Sequence, residues 1–251
     1  MITVANNTGT KLSYGLTVTP SPLQASLDTA TTSATIQIIG VNQTGGVLDM
    51  ESLVVEVSIG ANASDLSDQT TTPLDTSITP SSDWLPTEPA GGPGPNKYTW
   101  NPSDPPLKLE PDDSVVITFT DVPVNTMLGT TGIKITETER SNGPNSITFE
   151  LTKFPYGFYF TDLAAYDLNG LPVAQVLNGK QVLLKWSGSL TEVSGYKVYY
   201  NTNAGQFSST VTTLGQWTSP PLAASTVFTV QATAEPVTSQ LQAAVACRTR
   251  T

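Results

Sequence analysis

The chain has 251 residues, a formal charge of −10 and only 13% charged residues. That length holds one large domain or two of ordinary size, with enough chain to bury a core unaided by crosslinks. The acidic balance repels phosphate backbones and anionic lipid, which argues against nucleic-acid or membrane-surface partners, and the single cysteine, Cys247, excludes an intrachain disulfide.

The charge is unevenly placed. Residues 1–153 carry 17 Asp/Glu against 6 Lys/Arg, whereas residues 154–251 carry 4 against 5. A change of this size marks a composition boundary, so the expected domains are an acidic 1–153 and a nearly neutral 154–251. The N-terminal segment MITVANNTGTKLSYGLTV lacks a basic stretch followed by an apolar one. No apolar run approaches the ~18 residues of a membrane span. The expectation is a soluble chain without an ordinary secretory leader, its compartment open, with surface association or release by another route as alternatives.

Taken in chain order, the recurring unit is a short run of Val, Ile and Thr alternating with polar residues and bounded by Gly, Pro, Asn or Asp, the signature of a strand. In the first half these runs are Tyr14–Thr19, Ala34–Val41, Leu53–Ile59, Ser114–Asp121, Gly132–Glu137 and Ser146–Lys153. From residue 60 to 96 the alternation stops, and the prolines and glycines there predict a long irregular surface loop. The second half continues with Phe158–Leu163, Val173–Leu177, Gln181–Trp186, Tyr196–Tyr200, Phe207–Thr212, Thr226–Ala232 and Gln240–Arg248. YDLNGLP and VLNGKQ each hold an Asn-Gly pair and read as hairpin turns. No window carries a helical period, and the spacing of strands and turns predicts an all-β protein of sandwich type.

From Gln181 onward the residues allow more. A strand ending at Trp186 is followed by GYKVYYN, with Tyr196, Val198 and Tyr200 alternating. SPPLAASTVFTVQATA then brings Leu222, Thr226, Phe228, Val230 and Ala232 into step. This pattern resembles the fibronectin type III and related immunoglobulin-like modules over roughly residues 180–235. The resemblance implies that Trp186 packs between two sheets. It departs from the family where Phe228 stands in place of the corner tyrosine and Ala223–Ala224 in place of the Pro-Gly turn. The first half resembles immunoglobulin-like repeats more loosely, through runs such as LVVEVSIG. The expected fold is therefore two tandem immunoglobulin-like antiparallel β-sandwiches, the second fibronectin type III-like.

Motifs for chemistry are scarce. The chain contains no histidine, which removes Ser-His-Asp and Cys-His systems and the commonest zinc sites. It has no G-x-S-x-G elbow, Walker loop or dinucleotide fingerprint, and AGGPGP has prolines where a phosphate cradle needs N–H donors. Glu56, Glu137 and Glu150 alternate with apolar residues and are expected on a solvent face. No catalytic residues are assigned and no enzyme is expected. Among ions, Ca2+ suits loop carboxylates, and Asp65 with Asp68, or Asp112 with Asp113, are its candidate ligands; solvated turn acids are the alternative.

Trp84, Tyr98 and Trp100 form the aromatic group associated with the 60–96 loop. They either contact a ligand such as a glycan or a protein, or pin the loop to the sandwich. Three functions follow: a non-catalytic adhesin, spacer or assembly subunit; a lectin-like protein using these rings; and a component of a bacterial toxin or phage-like particle. A protein or glycan partner is expected, and a homo-oligomer is compatible with the first class. The last feature is FPYGFYF, five aromatics in seven residues at the charge boundary. Strand alternation puts Phe154, Tyr156, Phe158 and Phe160 on one face, too large an apolar surface to leave exposed, and expected to fill the interdomain seam.

Overall fold

Strands form wherever β-branched and aromatic side chains alternate with polar ones, because a pleated backbone sends neighbours to opposite faces. In the computed structural model, which describes residues 2–4, 9–202, 205–211 and 215–249, alternation is visible strand by strand. Ser33–Asn42 buries Ala34, Ile36 and Ile38 while Ser33 and Thr35 stay exposed. Each such Ile or Leu withdrawn from water stabilises the fold by about 1.5–3 kcal/mol.

The chain divides into two compact units, Met1–Phe154 and Pro155–Thr251. The first contains β1 (Ile2–Val4), β2 (Leu12–Thr19), β3 (Ser33–Asn42), β4 (Leu48–Ile59), β5 (Asp75–Thr79), β6 (Trp84–Thr87), β7 (Gly94–Pro102), β8 (Leu107–Leu109), β9 (Ser114–Pro123), β10 (Gly129–Glu139) and β11 (Gly143–Lys153). They form one sheet in the order β1-β2-β3-β9-β5 and another in the order β11-β10-β4-β7-β6, with β8 also on β4. All pair antiparallel. The inner faces of both sheets contribute to one continuous core, from Leu12, Leu16, Ile36 and Phe119 on one side to Val55, Tyr98, Ile133 and Phe149 on the other.

The second unit contains β12 (Phe160–Tyr166), β13 (Gln175–Leu177), β14 (Leu183–Gly188), β15 (Gly195–Thr202), β16 (Gly205–Thr210), β17 (Gln216–Thr218), β18 (Thr226–Ala234) and β19 (Val237–Arg248). Its sheets run β12-β14-β17 and β13-β19-β18-β15-β16. Trp186 and Tyr196, one from each sheet, meet with ring centroids 5.5 Å apart. Val198, Phe228, Val230 and Ala232 are fully buried. The positions that carry the resemblance are core positions, except Tyr200, which is half-buried.

The two units share an order although their sequences show no repeat. In each, the first two long strands pair with each other and with a later strand, and face a sheet built on the last strand. In each, a segment after the first strand crosses to pair parallel with the end of the last: Gln24 bridges Phe154, and β13 pairs with Ala246–Arg248. This crossover is where the sequence reading needs correction. The Asn178–Gly179 turn hands the chain from β13 in one sheet to β14 in the other, so it joins no hairpin. The Asp167–Gly170 turn does fold back as expected: Tyr166 bridges Pro172 antiparallel, the N–H groups of Asp167 and Val173 meet the Leu171 and Ala165 carbonyls at 2.8 and 2.9 Å, and Leu171 N–H closes the tip on the Asp167 carboxylate at 2.9 Å.

The loop expected over 60–96 is a second correction. It contains β5, a 3-10 turn at Ser81–Asp83, β6 and the start of β7. Proline-rich segments still build strands when they lie at edges, where missing N–H donors cost no ladder bond. β5 and β6 are edge strands of the two sheets. Thr212, the end of the expected Phe207–Thr212 strand, lies outside the described residues.

Candidate functional site

Trp84, Tyr98 and Trp100 are 2%, 1% and 1% exposed. Tyr98 and Trp100 have the same parity on β7, which turns both rings into the sandwich. Tyr98 stands edge-on to Phe119 of the opposite sheet, with centroids 5.1 Å apart and planes at 88°. Its hydroxyl accepts the Leu74 N–H at 2.8 Å. Burial raises the phenol pKa. Trp84 begins β6 opposite Pro102. The three rings therefore pin the 60–96 segment and offer no face to a sugar or a protein, which corrects their candidacy as ligand contacts. Their chemistry is packing, and a buried ring covers about 150–250 Å2 of apolar surface.

The candidate calcium ligands fall at two separate turns. Asp65 is buried, and its Oδ2 accepts the backbone N–H and side-chain amide of Asn62, each at 2.9 Å. Asp68 follows in the exit from that turn. Asp113 accepts the Glu110 N–H at 2.8 Å, and Asp112 adopts a φ of 67° beside it. Among the described residues no three acidic, Cys or His side chains gather at one point.

FPYGFYF does not continue as a strand. Phe154 closes the first unit, its N–H on the Leu23 carbonyl and its own carbonyl taking the Ala25 N–H. A turn follows, with Phe158 N–H on Pro155 and Gly157 at φ 82°, a region that favours glycine. The turn breaks period 2, so the shared face expected of four rings does not form. Tyr156 is 49% exposed, while Phe154, Phe158 and Phe160 are buried. Phe160 packs in the second unit with its ring 5.6 Å from Tyr196.

Sequence reasoning missed two fully buried charged side chains. Glu137, expected at a solvent face, is fully buried on β10. Its carboxylate takes the N–H of Lys11, the N–H of Leu12 at 3.2 Å and the hydroxyl of Tyr14 at 3.0 Å. Desolvation raises its pKa, while these donors and the Lys11 charge pull it back. The same burial, with the carboxylate's charge, raises the Tyr14 phenol well above its usual value. Glu137 thereby ties β10 in one sheet to the start of β2 in the other.

The second group is Lys153, the last residue of β11. It is fully buried, its ammonium against the Asp65 carbonyl and, at 2.5 Å, Oδ1 of Asn125. Desolvation lowers its pKa from 10.5 to about 8, and the Asp65 charge opposes the fall. Parity was the available signal for both. Glu137 is in phase with Ile133 and Ile135, and Lys153 with Phe149 and Leu151.

No protein-family model and no curated protein matches the chain. Solved structures match at low similarity. The major pilin subunit BcpA of Bacillus cereus has 7% identity and a TM-score of 0.38, over 96% of this chain and 69% of that one. The C-terminal domain of the Streptococcus pyogenes antigen I/II-family protein AspA has 7% identity and a TM-score of 0.38, over 94% and 100%. Domains D2 and D3 of the major pilin SpaD of Corynebacterium diphtheriae have 12% identity and a TM-score of 0.36, over 90% and 87%. Likenesses this distant leave the assignment to the strand order itself. By that order each unit is a β-sandwich of two sheets.

Proposed function

We propose that the chain is a non-catalytic structural and binding module, in which the first sandwich acts as a spacer and the second meets a protein partner. One observation supports this division most. Of the eleven large apolar side chains exposed on the described residues, seven belong to the shorter second unit, including Tyr159, Leu168, Leu171 and Leu190. That unit is also nearly neutral in net charge, and protein interfaces concentrate apolar residues and few charges at their centres. The buried ionisable groups support the non-catalytic half of the proposal, because Glu137 and Lys153 bond mainly to backbone and structural side chains. Such a module would act at a cell or particle surface. Among the described residues no helix is long and apolar enough to cross a membrane.

Position-resolved photocrosslinking tests the division. A photoreactive residue at Leu168 or Leu190 is expected to capture protein, with a second copy of the chain recognised by a doubled mass. The same residue at Val47 or Leu85, exposed positions of the first unit, is expected to capture little. Equal capture from both units would contradict the reading.

A further inference from the structure

Lys153 presents a nucleophile to an electrophile inside the first sandwich. Its side chain is fully buried, and Asn125 is 1% exposed. The amide of Asn125 is fixed from both ends. Nδ2 donates to the carbonyls of Gly60, Asn62 and Asp65, each at 3.0 Å. Oδ1 accepts the Met127 N–H at 3.2 Å and the Lys153 ammonium at 2.5 Å. The Asp65 carbonyl accepts from both Lys153 Nζ and Asn125 Nδ2, so one backbone oxygen holds the two nitrogens together. An amine whose pKa has fallen to about 8 is unprotonated in an appreciable fraction of molecules near neutral pH. Only the neutral form carries a free lone pair.

We propose that Lys153 and Asn125 join in an intramolecular amide crosslink with release of ammonia. Neutral Nζ moves from Oδ1 to the adjacent Cγ and forms the new C–N bond. The carbonyl electron pair shifts onto Oδ1, where the Met127 N–H stabilises it, a small version of an oxyanion hole. One proton passes from Nζ to Nδ2, the two nitrogens already sharing the Asp65 carbonyl. The C=O re-forms, the Cγ–Nδ2 bond breaks, and ammonia leaves. Primary amine and primary amide become secondary amide and ammonia, so the step balances without oxidant or cofactor. Fixed geometry is what raises such a reaction above its rate between free side chains. The product ties the end of β11 to the segment after β9, closing a covalent ring through β10 and restricting the unfolded chain as a disulfide would.

Intact mass spectrometry of the denatured full chain, with peptide mapping, tests this. The expected mass is lower than that of the sequence by one ammonia, and one branched peptide contains both Asn125 and Lys153. Lys153→Arg and Asn125→Ala proteins are expected to show the full mass of their sequences. A wild-type mass equal to that of its sequence overturns the proposal. So does an ammonia loss that persists in Lys153→Arg, because that identifies a succinimide at Asn125 instead. The wild-type measurement decides even if either variant fails to fold.

Discussion

At the scale of single residues, the buried carboxylate of Glu137 carries the sharpest consequences. Glu137→Ala would leave two backbone N–H groups and a phenol without their acceptor inside the core. Buried unsatisfied donors cost about 1–3 kcal/mol each, so a loss of roughly 3 kcal/mol or more in chemical denaturation is expected. The pH dependence has a definite sign. Because burial raises the carboxyl's folded pKa, its contribution is fully present below the unfolded pKa and is lost as pH rises through the folded one. The stability of wild type relative to Glu137→Gln should therefore fall over the pH range in which the carboxyl ionises, above that of an unfolded carboxyl. A gap that widens over that range would show that the three donors outweigh desolvation. Tyr98 gives a milder case. Tyr98→Phe strips the Leu74 N–H of its acceptor and is expected to cost about 1–2 kcal/mol in the same measurement.

At the scale of elements, period-2 patterning announced most of the long strands but missed β7, nine residues long, and several short ones. β3, β4, β9, β10 and β18 bury alternate residues through most of their length, and each was legible because one face is apolar. β5 and β6 were not. Each is short, lies at a sheet edge, and is bracketed by prolines that ordinarily signal a loop. β5 pairs with β9, distant in sequence, which no local pattern encodes, and β6 pairs with β7 across a connection of Pro and Gly residues that hides the hairpin. The same absence of pattern hides the role of the aromatic candidates, because a loop over 60–96 gives Trp84 no sheet to face. FPYGFYF failed for a different reason, since a glycine at positive φ ends the alternation that the other residues maintain.

Element packing also yields a prediction where β14 meets β15. A Cβ added at Gly188 would lie 2.2 Å from the Tyr196 hydroxyl, which donates to the Ser189 carbonyl at 2.8 Å. The substitution must displace a buried ring that also packs on Trp186 and Phe160. Gly188→Ala is expected to destabilise by about 1–3 kcal/mol, as overpacking does. Gly46→Ala, whose added Cβ meets nothing within 4 Å, should melt within a degree or two of wild type. Equal melting temperatures for both would mean that Tyr196 is not seated against β14.

At the scale of the whole molecule, the account rests on two sandwiches that each complete their own core. Unit Pro155–Thr251 has both its sheets and its inner aromatic residues drawn from its own chain. The isolated segment 155–251 is expected to fold alone, with dispersed amide resonances and a cooperative thermal transition. A collapsed spectrum would make the second sandwich dependent on the first. The composition step near residue 153 was the clue that could be read from sequence. The matching strand orders were not legible, because strand order depends on pairing rather than on local pattern.

The claim on which the functional reading depends is that the loop-flanking aromatics are core residues and not a binding face. Trp186→Phe/Trp217→Phe protein retains only Trp84 and Trp100 as fluorophores, so acrylamide quenching of its tryptophan emission measures their accessibility directly. The account predicts weak quenching in the native state that rises sharply on denaturation. Native quenching as strong as in the denatured chain would place the two indoles at the surface and restore the ligand-binding reading.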